Sequence, residues 1–145
     1  KIRTNKIEYF YFARDAYERC ILLKPNHADA LTNLGKLLLD QFHYNDGPIT
    51  TNARQKEEFD AIRTHSMDLY RKAAKADPHH LQSRINIGLE LRAIKKDYEA
   101  VQWYKEAMLH HSESSENLLY NMAVSLVEIG EIEEAALCYE KVPSI

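Results

Sequence analysis

Apolar side chains recur along the chain at the three- and four-residue spacing that is typical of amphipathic helices. Leu31, Leu34 and Leu38 follow this spacing in one segment. A second stripe lies further along and consists of Ala100, Val101, Tyr104, Ala107 and Met108, with Lys105 and Glu106 off it. A stripe of this kind predicts a helix that packs one face against a neighbour and exposes the other face to water.

A third stripe predicts one long helix over residues 54–76. Its members are Phe59, Ile62, Ser66, Leu69, Tyr70 and Ala73. Just upstream, residues 44–48 read Tyr-Asn-Asp-Gly-Pro, and these residue types favour a turn. Two further pairs of residues, Asp97-Tyr98 and Gly130-Glu131, are the predicted turns between consecutive helices.

One tyrosine motif occurs four times, with a small residue four positions before the tyrosine and a small or β-branched one three after it. The tyrosines are Tyr17, Tyr70, Tyr104 and Tyr139, and they are separated by 53, 34 and 35 residues. A second series precedes three of them, namely Leu34-Gly35, Ile87-Gly88 and Met122-Ala123, while Pro25 and Pro78 each follow a tyrosine by eight residues. This period predicts tandem helical repeats that must stack, because one helix pair cannot bury its own apolar face.

The pattern resembles the tetratricopeptide repeat (TPR), which implies an all-α, right-handed superhelix of antiparallel helix pairs. We predict a single TPR domain with a partial repeat at 1–25 and fuller repeats at 28–78, 81–112 and 116–142. The 53-residue interval predicts an insertion of about 19 residues near 39–65, since the usual period is about 34. Because the chain begins at Lys1 without Met, we expect it to be part of a longer protein.

Charge and hydropathy narrow the classes of partner. Lys and Arg number 19 against 22 Asp and Glu, a net charge of −3, so no basic excess favours nucleic acid. No apolar run reaches the length of about 18 residues that predicts a membrane span, so we expect no membrane insertion. The absence of a secretory signal and the presence of only two cysteines favour a cytoplasmic location.

Candidate catalytic and metal-binding residues are few. The pairs His79-His80 and His110-His111 lie between predicted repeats, without cysteines or acids at the spacing of a tetrahedral metal site. Cys20 and Cys138 lie in the second helix of a predicted pair, at or beside positions that small residues hold in the core. This placement favours a structural role for both. Because no phosphate-binding glycine loop or nucleophile motif occurs, we predict that the chain is not an enzyme and binds no metal or cofactor.

Asparagine recurs at one position in the first helix of each predicted helix pair. Asn33, Asn86 and Asn121 each stand two residues before the small residue, about 100° from the packed face. In a TPR superhelix this side lines the concave groove, and the pattern resembles the asparagine ladder of the O-linked N-acetylglucosamine transferase superhelix. Such amides could bond the backbone of an extended peptide. Alternatively, they could tie neighbouring helices together, and the sequence leaves both interpretations open.

A candidate peptide-binding surface follows from the resemblance. Its residues are Asn33, Lys36, Gln82, Asn86, Arg92, Asn117, Tyr120 and Asn121. The asparagines would hold peptide backbone, whereas Lys36, Gln82, Arg92 and Tyr120 would select side chains. Chaperone-binding TPR domains clamp a terminal carboxylate with Lys, Asn and Arg. Here amides stand where more cations are expected, which disfavours a carboxylate clamp.

We therefore predict a non-catalytic protein-interaction module that binds a peptide segment of a partner in its concave groove. A structural spacer in a larger complex, docking by its convex side or by the insertion, is the alternative. A third hypothesis is a substrate-recruiting arm of an enzyme whose catalytic domain lies outside this chain. Self-association through exposed ends of the array is a further expected mode of contact.

Overall fold

The computed structural model describes residues 2–46, 53–111 and 115–142, with side chains at 6–41, 53–111 and 115–142. These residues form seven α-helices and no strand, which confirms the all-α prediction. The helices are α1 (Ile2–Leu23), α2 (Ala28–Asp46), α3 (Ala53–Ala76), α4 (Leu81–Ala93), α5 (Asp97–Leu109), α6 (Glu116–Glu128) and α7 (Ile132–Lys141). None of these helices, over the residues described, is both long and apolar enough to span a bilayer.

The chain divides into two compact units, Lys1–Asp77 and Pro78–Ile145. In the first unit, α2 packs against both α1 and α3. In the second unit, α4 packs on α5, α5 on α6 and α6 on α7, and α4 also contacts α6. Each helix therefore packs mainly on its neighbour in sequence, which is the arrangement of stacked helix pairs.

The core of the first unit joins all three of its helices. Leu31 and Leu34 of α2 cluster with Leu69 and Ala73 of α3, and the partly buried Tyr17 and Ile21 of α1 pack against them. The backbones of α2 and α3 approach closely, since the Ser66 hydroxyl donates a hydrogen bond of 2.8 Å to the Gly35 carbonyl. A Cβ at Gly35 would lie only 2.7 Å from Cε1 of Tyr70, so glycine is needed for this approach.

The turns that follow α4 and α6 have the same geometry. Lys95 and Gly130 adopt positive φ values of 65° and 85°. The following N–H groups, of Lys96 and Glu131, donate to carbonyls five residues back, at 2.8 and 2.9 Å. This is the hydrogen-bond pattern of a Schellman motif, which ends a helix by satisfying its last carbonyls.

The prediction of a turn at Gly130-Glu131 is confirmed, but the one at Asp97-Tyr98 is wrong. Those two residues begin α5, and the turn lies at 94–96. The physical reason is that a carboxylate is favourable in the first turn of a helix, where Asp97 stands.

The prediction of one long helix at 54–76 is confirmed by α3. The predicted turn at 44–48 is wrong for residues 44–46, because α2 continues to Asp46. No glycine or proline occurs in α2 between Gly35 and its end, and the helix-ending residues Gly47 and Pro48 follow only afterwards. Residues 47–52 lie outside the described part of the chain, and the insertion near 39–65 stays a prediction.

Candidate functional site

The helices that carry the predicted site residues, α2, α4 and α6, begin with the same type of cap. In each, the side chain before the first turn accepts a hydrogen bond from the backbone N–H three residues further on. The acceptors are His27 Nδ1, His80 Nδ1 and Ser115 Oγ, at 3.1, 3.2 and 3.1 Å. Because these caps fix where each helix starts, equivalent residues of the three helices stand at equivalent turns.

Two of these helices carry what we term an amide pair, meaning two amide side chains one turn apart that bond to each other. In α4, Gln82 Nε2 donates to Asn86 Oδ1 at 2.7 Å. In α6, Asn121 Nδ2 donates to Asn117 Oδ1 at 2.8 Å. Asn86 and Asn121 are only 8% and 7% exposed, whereas Gln82 and Asn117 are exposed. Each amide pair therefore has one buried and one solvent-facing member.

The amide pairs retain unused hydrogen-bonding groups. Among the described residues, the nitrogens of Asn86 and Asn117 and the oxygens of Gln82 and Asn121 form no further hydrogen bond. The two bonds that exist lie within α4 and within α6, not between them. Asn86 and Asn121 thus bond within their own helices, and the helix-tying role of the asparagines stays a hypothesis. Each pair can offer one donor group and one acceptor group to a third partner.

Three other predicted residues belong to neither amide pair, and two of them are in the first unit. Asn33 and Lys36 are exposed on α2, in the first unit, where Asp29 occupies the position of Gln82 and Asn117. Arg92 is partly buried in the last turn of α4, and its charge acts on the hydroxyl of Tyr104. Within the second unit, the structure thus brings together the two amides of each pair, whereas Arg92 lies at the other end of α4.

Tyr120 places an aromatic surface beside the amide pair of α6. Its side chain is 54% exposed, and its ring meets that of Tyr139 edge to face, with centroids 6.3 Å apart. Tyr120 and Asn117, together with Ser115, Glu116 and Val142, line an open pocket of about 490 Å³. A space of this size can receive a side chain adjacent to the amide groups.

Sequence reasoning missed Arg84, which is buried in the second unit. Its guanidinium lies 3.2 Å from a carboxylate oxygen of Glu106 and donates from Nε to the Pro78 carbonyl at 3.2 Å. Leucines occupy the corresponding positions of the other first helices, Leu31 in α2 and Leu119 in α6. A cation at a repeat position that leucine holds in the other repeats is the sequence signal that identifies Arg84.

The thiol of the second unit, Cys138, is buried. Burial, and then the nearby charge of Glu134, raises the pKa of the Cys138 thiol above its ordinary value. A thiol with a raised pKa is a poorer nucleophile at neutral pH, since the thiolate is the reactive form. Across 2–46, 53–111 and 115–142, no group of three or more His, Cys, Asp or Glu side chains is placed to hold a metal ion.

Solved structures resemble this chain over most of its length. TTC0263, a thermophilic TPR protein from Thermus thermophilus, superposes with a TM-score of 0.72 at 14% identity, covering 94% of this chain and 66% of that one. MamA of AMB-1 has a TM-score of 0.61 at 20% identity, covering 89% and 60%. MamA of MSR-1 has a TM-score of 0.61 at 20% identity, covering 94% and 67%.

The chain spans less than two thirds of the length of the first two of these structures. No family model matches it, and no curated protein matches its sequence. At identities of 20% or less, the structural likeness establishes the fold. The chain has the fold of a TPR-type α-solenoid, and the fold predicted from the tyrosine and glycine pattern is confirmed.

Proposed function

We propose that the chain is a non-catalytic protein-interaction module that binds an extended peptide segment of a protein partner over α4 and α6. The observation that carries this proposal is the repeated amide pair, Gln82 with Asn86 and Asn117 with Asn121. The unused nitrogen of Asn86 and the unused oxygen of Asn121 belong to largely buried side chains, but these two atoms remain open to solvent, so a partner can reach them. A peptide backbone supplies one donor and one acceptor per residue, independently of its sequence.

Residues around the amide pairs would select the side chains of the bound peptide. The pocket beside Tyr120 would take one side chain of the bound segment, and the aromatic ring favours an apolar or cationic one. Gln82 and Arg92 would contact side chains near α4. In the first unit, Asn33 and Lys36 stand at the corresponding turn of α2 and are proposed to act on the peptide in the same way.

The same proposal includes the organisation of the chain. We propose a partial repeat at 1–25 and repeats at 28–78, 81–112 and 116–142, with an insertion near 39–65 in the repeat at 28–78. Protein partners in the cytoplasm fit this organisation and the balanced charge.

The test compares partner capture by wild-type protein and by the Asn33→Ala/Asn86→Ala/Asn121→Ala variant. Gln102→Ala is the matched control, because Gln102 is an exposed amide on α5, away from the amide pairs. Circular dichroism must show that all three proteins are folded. A partner retained by wild type and by the control, with affinity lowered about tenfold or more in the triple variant, would support the proposal. Equal capture by all three would overturn it.

A further inference from the structure

Each unit has an open pocket next to its second helices. In the first unit, a pocket of about 630 Å³ lies between α1 and α3, and its lining includes Ile21, Leu31, Leu69, Lys72 and Lys75. In the second unit, a pocket of about 540 Å³ lies between α5 and α7, and its lining includes Met108, Met122, Cys138, Lys105 and Lys141. We term these the two outer pockets. Neither contains a residue of the amide pairs.

The outer pockets are built from equivalent repeat positions. Leu69 and Cys138 each come directly before the tyrosine of their repeat, and both are buried in the floor. Lys72 and Lys141 each follow that tyrosine by two residues and stand on the rim.

The walls of the two outer pockets that lie opposite this floor are also built from equivalent repeat positions. Ile21 of α1 and Met108 of α5 each follow their own tyrosine by four residues. The same apolar floor with a lysine rim thus occurs independently in both units, so it is a repeated feature of the chain.

The charge of the rim indicates what the outer pockets fit. Within the described parts of the chain, Lys72, Lys75 and Lys141 form no ion pair, and their side chains are exposed. Lys105 is paired with Glu134 at 3.0 Å, and Glu134 also lines the pocket of the second unit, so Lys141 supplies the unpaired positive charge there. Unpaired ammonium groups above an apolar floor complement a ligand that presents a carboxylate beside an apolar group.

The size and the edges of the pockets favour a short segment of a protein. Cavities of about 540 and 630 Å³ lie within the range for ligand sites and hold one or two large apolar side chains. In the second unit, Leu109 and Leu137 on the rim are 83% and 57% exposed, so apolar contact extends beyond the pocket itself.

We propose that each outer pocket binds a peptide segment of a protein partner in which a large apolar side chain lies next to acidic side chains. This site is separate from the amide pairs, so it stands or falls independently of the peptide surface on α4 and α6. The apolar side chain enters the pocket, and the adjacent carboxylates contact Lys72 and Lys75 in one unit and Lys141 in the other.

The probe is a fluorescein-labelled peptide with a central Phe-Glu-Asp-Leu segment between Gly-Ser flanks, compared with its Phe-Lys-Lys-Leu counterpart. Fluorescence anisotropy with the whole chain measures both affinities at low salt. We expect the acidic peptide to bind about tenfold or more tightly than the basic one, and to weaken as salt rises.

Charge-reversal variants locate the site. We expect Lys72→Glu/Lys141→Glu to lower the affinity for the acidic peptide about tenfold. Lys56→Glu/Lys96→Glu has the same net charge at exposed lysines that line neither pocket. We expect this control variant to change the affinity for the acidic peptide by less than about twofold, because only long-range charge then acts on the peptide. Equal affinity of the two peptides, or equal effects of the two double variants, would overturn the proposal.

A second pair of variants tests the apolar contact. In the Lys72→Glu background, which leaves the second outer pocket intact, Leu137→Ser should remove most of the remaining binding. Leu23→Ser is the control, since Leu23 is 84% exposed and lines neither pocket. Loss of binding in Leu137→Ser but not in Leu23→Ser would support the site. Binding of decanoate without binding of the acidic peptide would instead identify a site for small amphiphiles and overturn the peptide proposal.

Discussion

The ring of Tyr104 fills the space beside Gly88 in which any other residue would carry its Cβ. A Cβ built on Gly88 would overlap the ring carbons of Tyr104 and lie 2.8 Å from its hydroxyl oxygen. Tyr104 is completely buried, so its ring has no free space to move into. The close approach of α4 and α5 therefore depends on the absence of a side chain at position 88.

The first prediction is that Gly88→Ala destabilises the protein. Alanine is favoured over glycine in a helix interior by about 1 kcal/mol. The overlap with Tyr104 should outweigh this gain, and overpacking of this kind costs about 1–3 kcal/mol. Urea unfolding should show a lower midpoint. An unchanged or higher midpoint would contradict the contact, and Tyr104→Leu should restore part of the stability lost in Gly88→Ala.

The second prediction concerns the hydroxyl of Tyr104. It is buried, and no described residue forms a hydrogen bond with it. Removing a buried polar group that lacks a partner is neutral or stabilising, so Tyr104→Phe should leave the free energy of unfolding unchanged or raise it by up to about 1 kcal/mol.

The same hydroxyl should make stability fall at alkaline pH. Burial is the main cause that raises the pKa of Tyr104 above its ordinary value. Above about pH 10 the unfolded chain releases this proton while the folded chain retains it, so the free energy of unfolding decreases as pH rises. The limiting slope from this residue is about 1.4 kcal/mol per pH unit. The Tyr104→Phe variant should lack this part of the decrease. Parallel profiles of the free energy of unfolding against pH for wild type and Tyr104→Phe would contradict the prediction.

The third prediction uses the two equivalent turns of the second unit. Lys95 adopts a left-handed φ of 65°, which costs a side-chain-bearing residue more than glycine, so Lys95→Gly should stabilise by up to about 1 kcal/mol. Gly130→Ala should destabilise by about 1 kcal/mol for the same reason. No atom lies within 4 Å of a Cβ at Gly130, so the backbone conformation alone accounts for that cost. Thermal unfolding of both variants checks the opposite signs.

The fourth prediction concerns Arg84. Arg84→Leu should change stability by less than about 1 kcal/mol, because leucine fills the same position in α2 and α6 and the exposed Glu106 side chain limits what the ion pair contributes. Arg84→Ala leaves a cavity and should cost about 2–4 kcal/mol. A loss in Arg84→Leu as large as in Arg84→Ala would show that the contacts with Pro78 and Glu106 are essential. Chemical denaturation measures both variants.

Much of the fold could be predicted, because helix periodicity and repeat spacing are visible in the sequence. Gly130 revealed its turn, whereas Lys95 at the equivalent position carries no such signal, and the turn was misplaced onto Asp97. The recurrence of asparagine was also visible. Its pairing with Gln82 and Asn117 was not, because burial of Asn86 and Asn121 depends on how α4 and α6 pack.

The two amide pairs are bonded in opposite senses along their helices. Gln82 donates toward the carboxyl end of α4, whereas Asn121 donates toward the amino end of α6. The buried members therefore present unlike groups, a nitrogen at Asn86 and an oxygen at Asn121. Because the exposed members, Gln82 and Asn117, carry the complementary unused groups, each amide pair still presents both a donor and an acceptor. A peptide backbone that runs in either direction across such a pair would meet a group with which it can bond, so any preference for one direction would have to come from side chains.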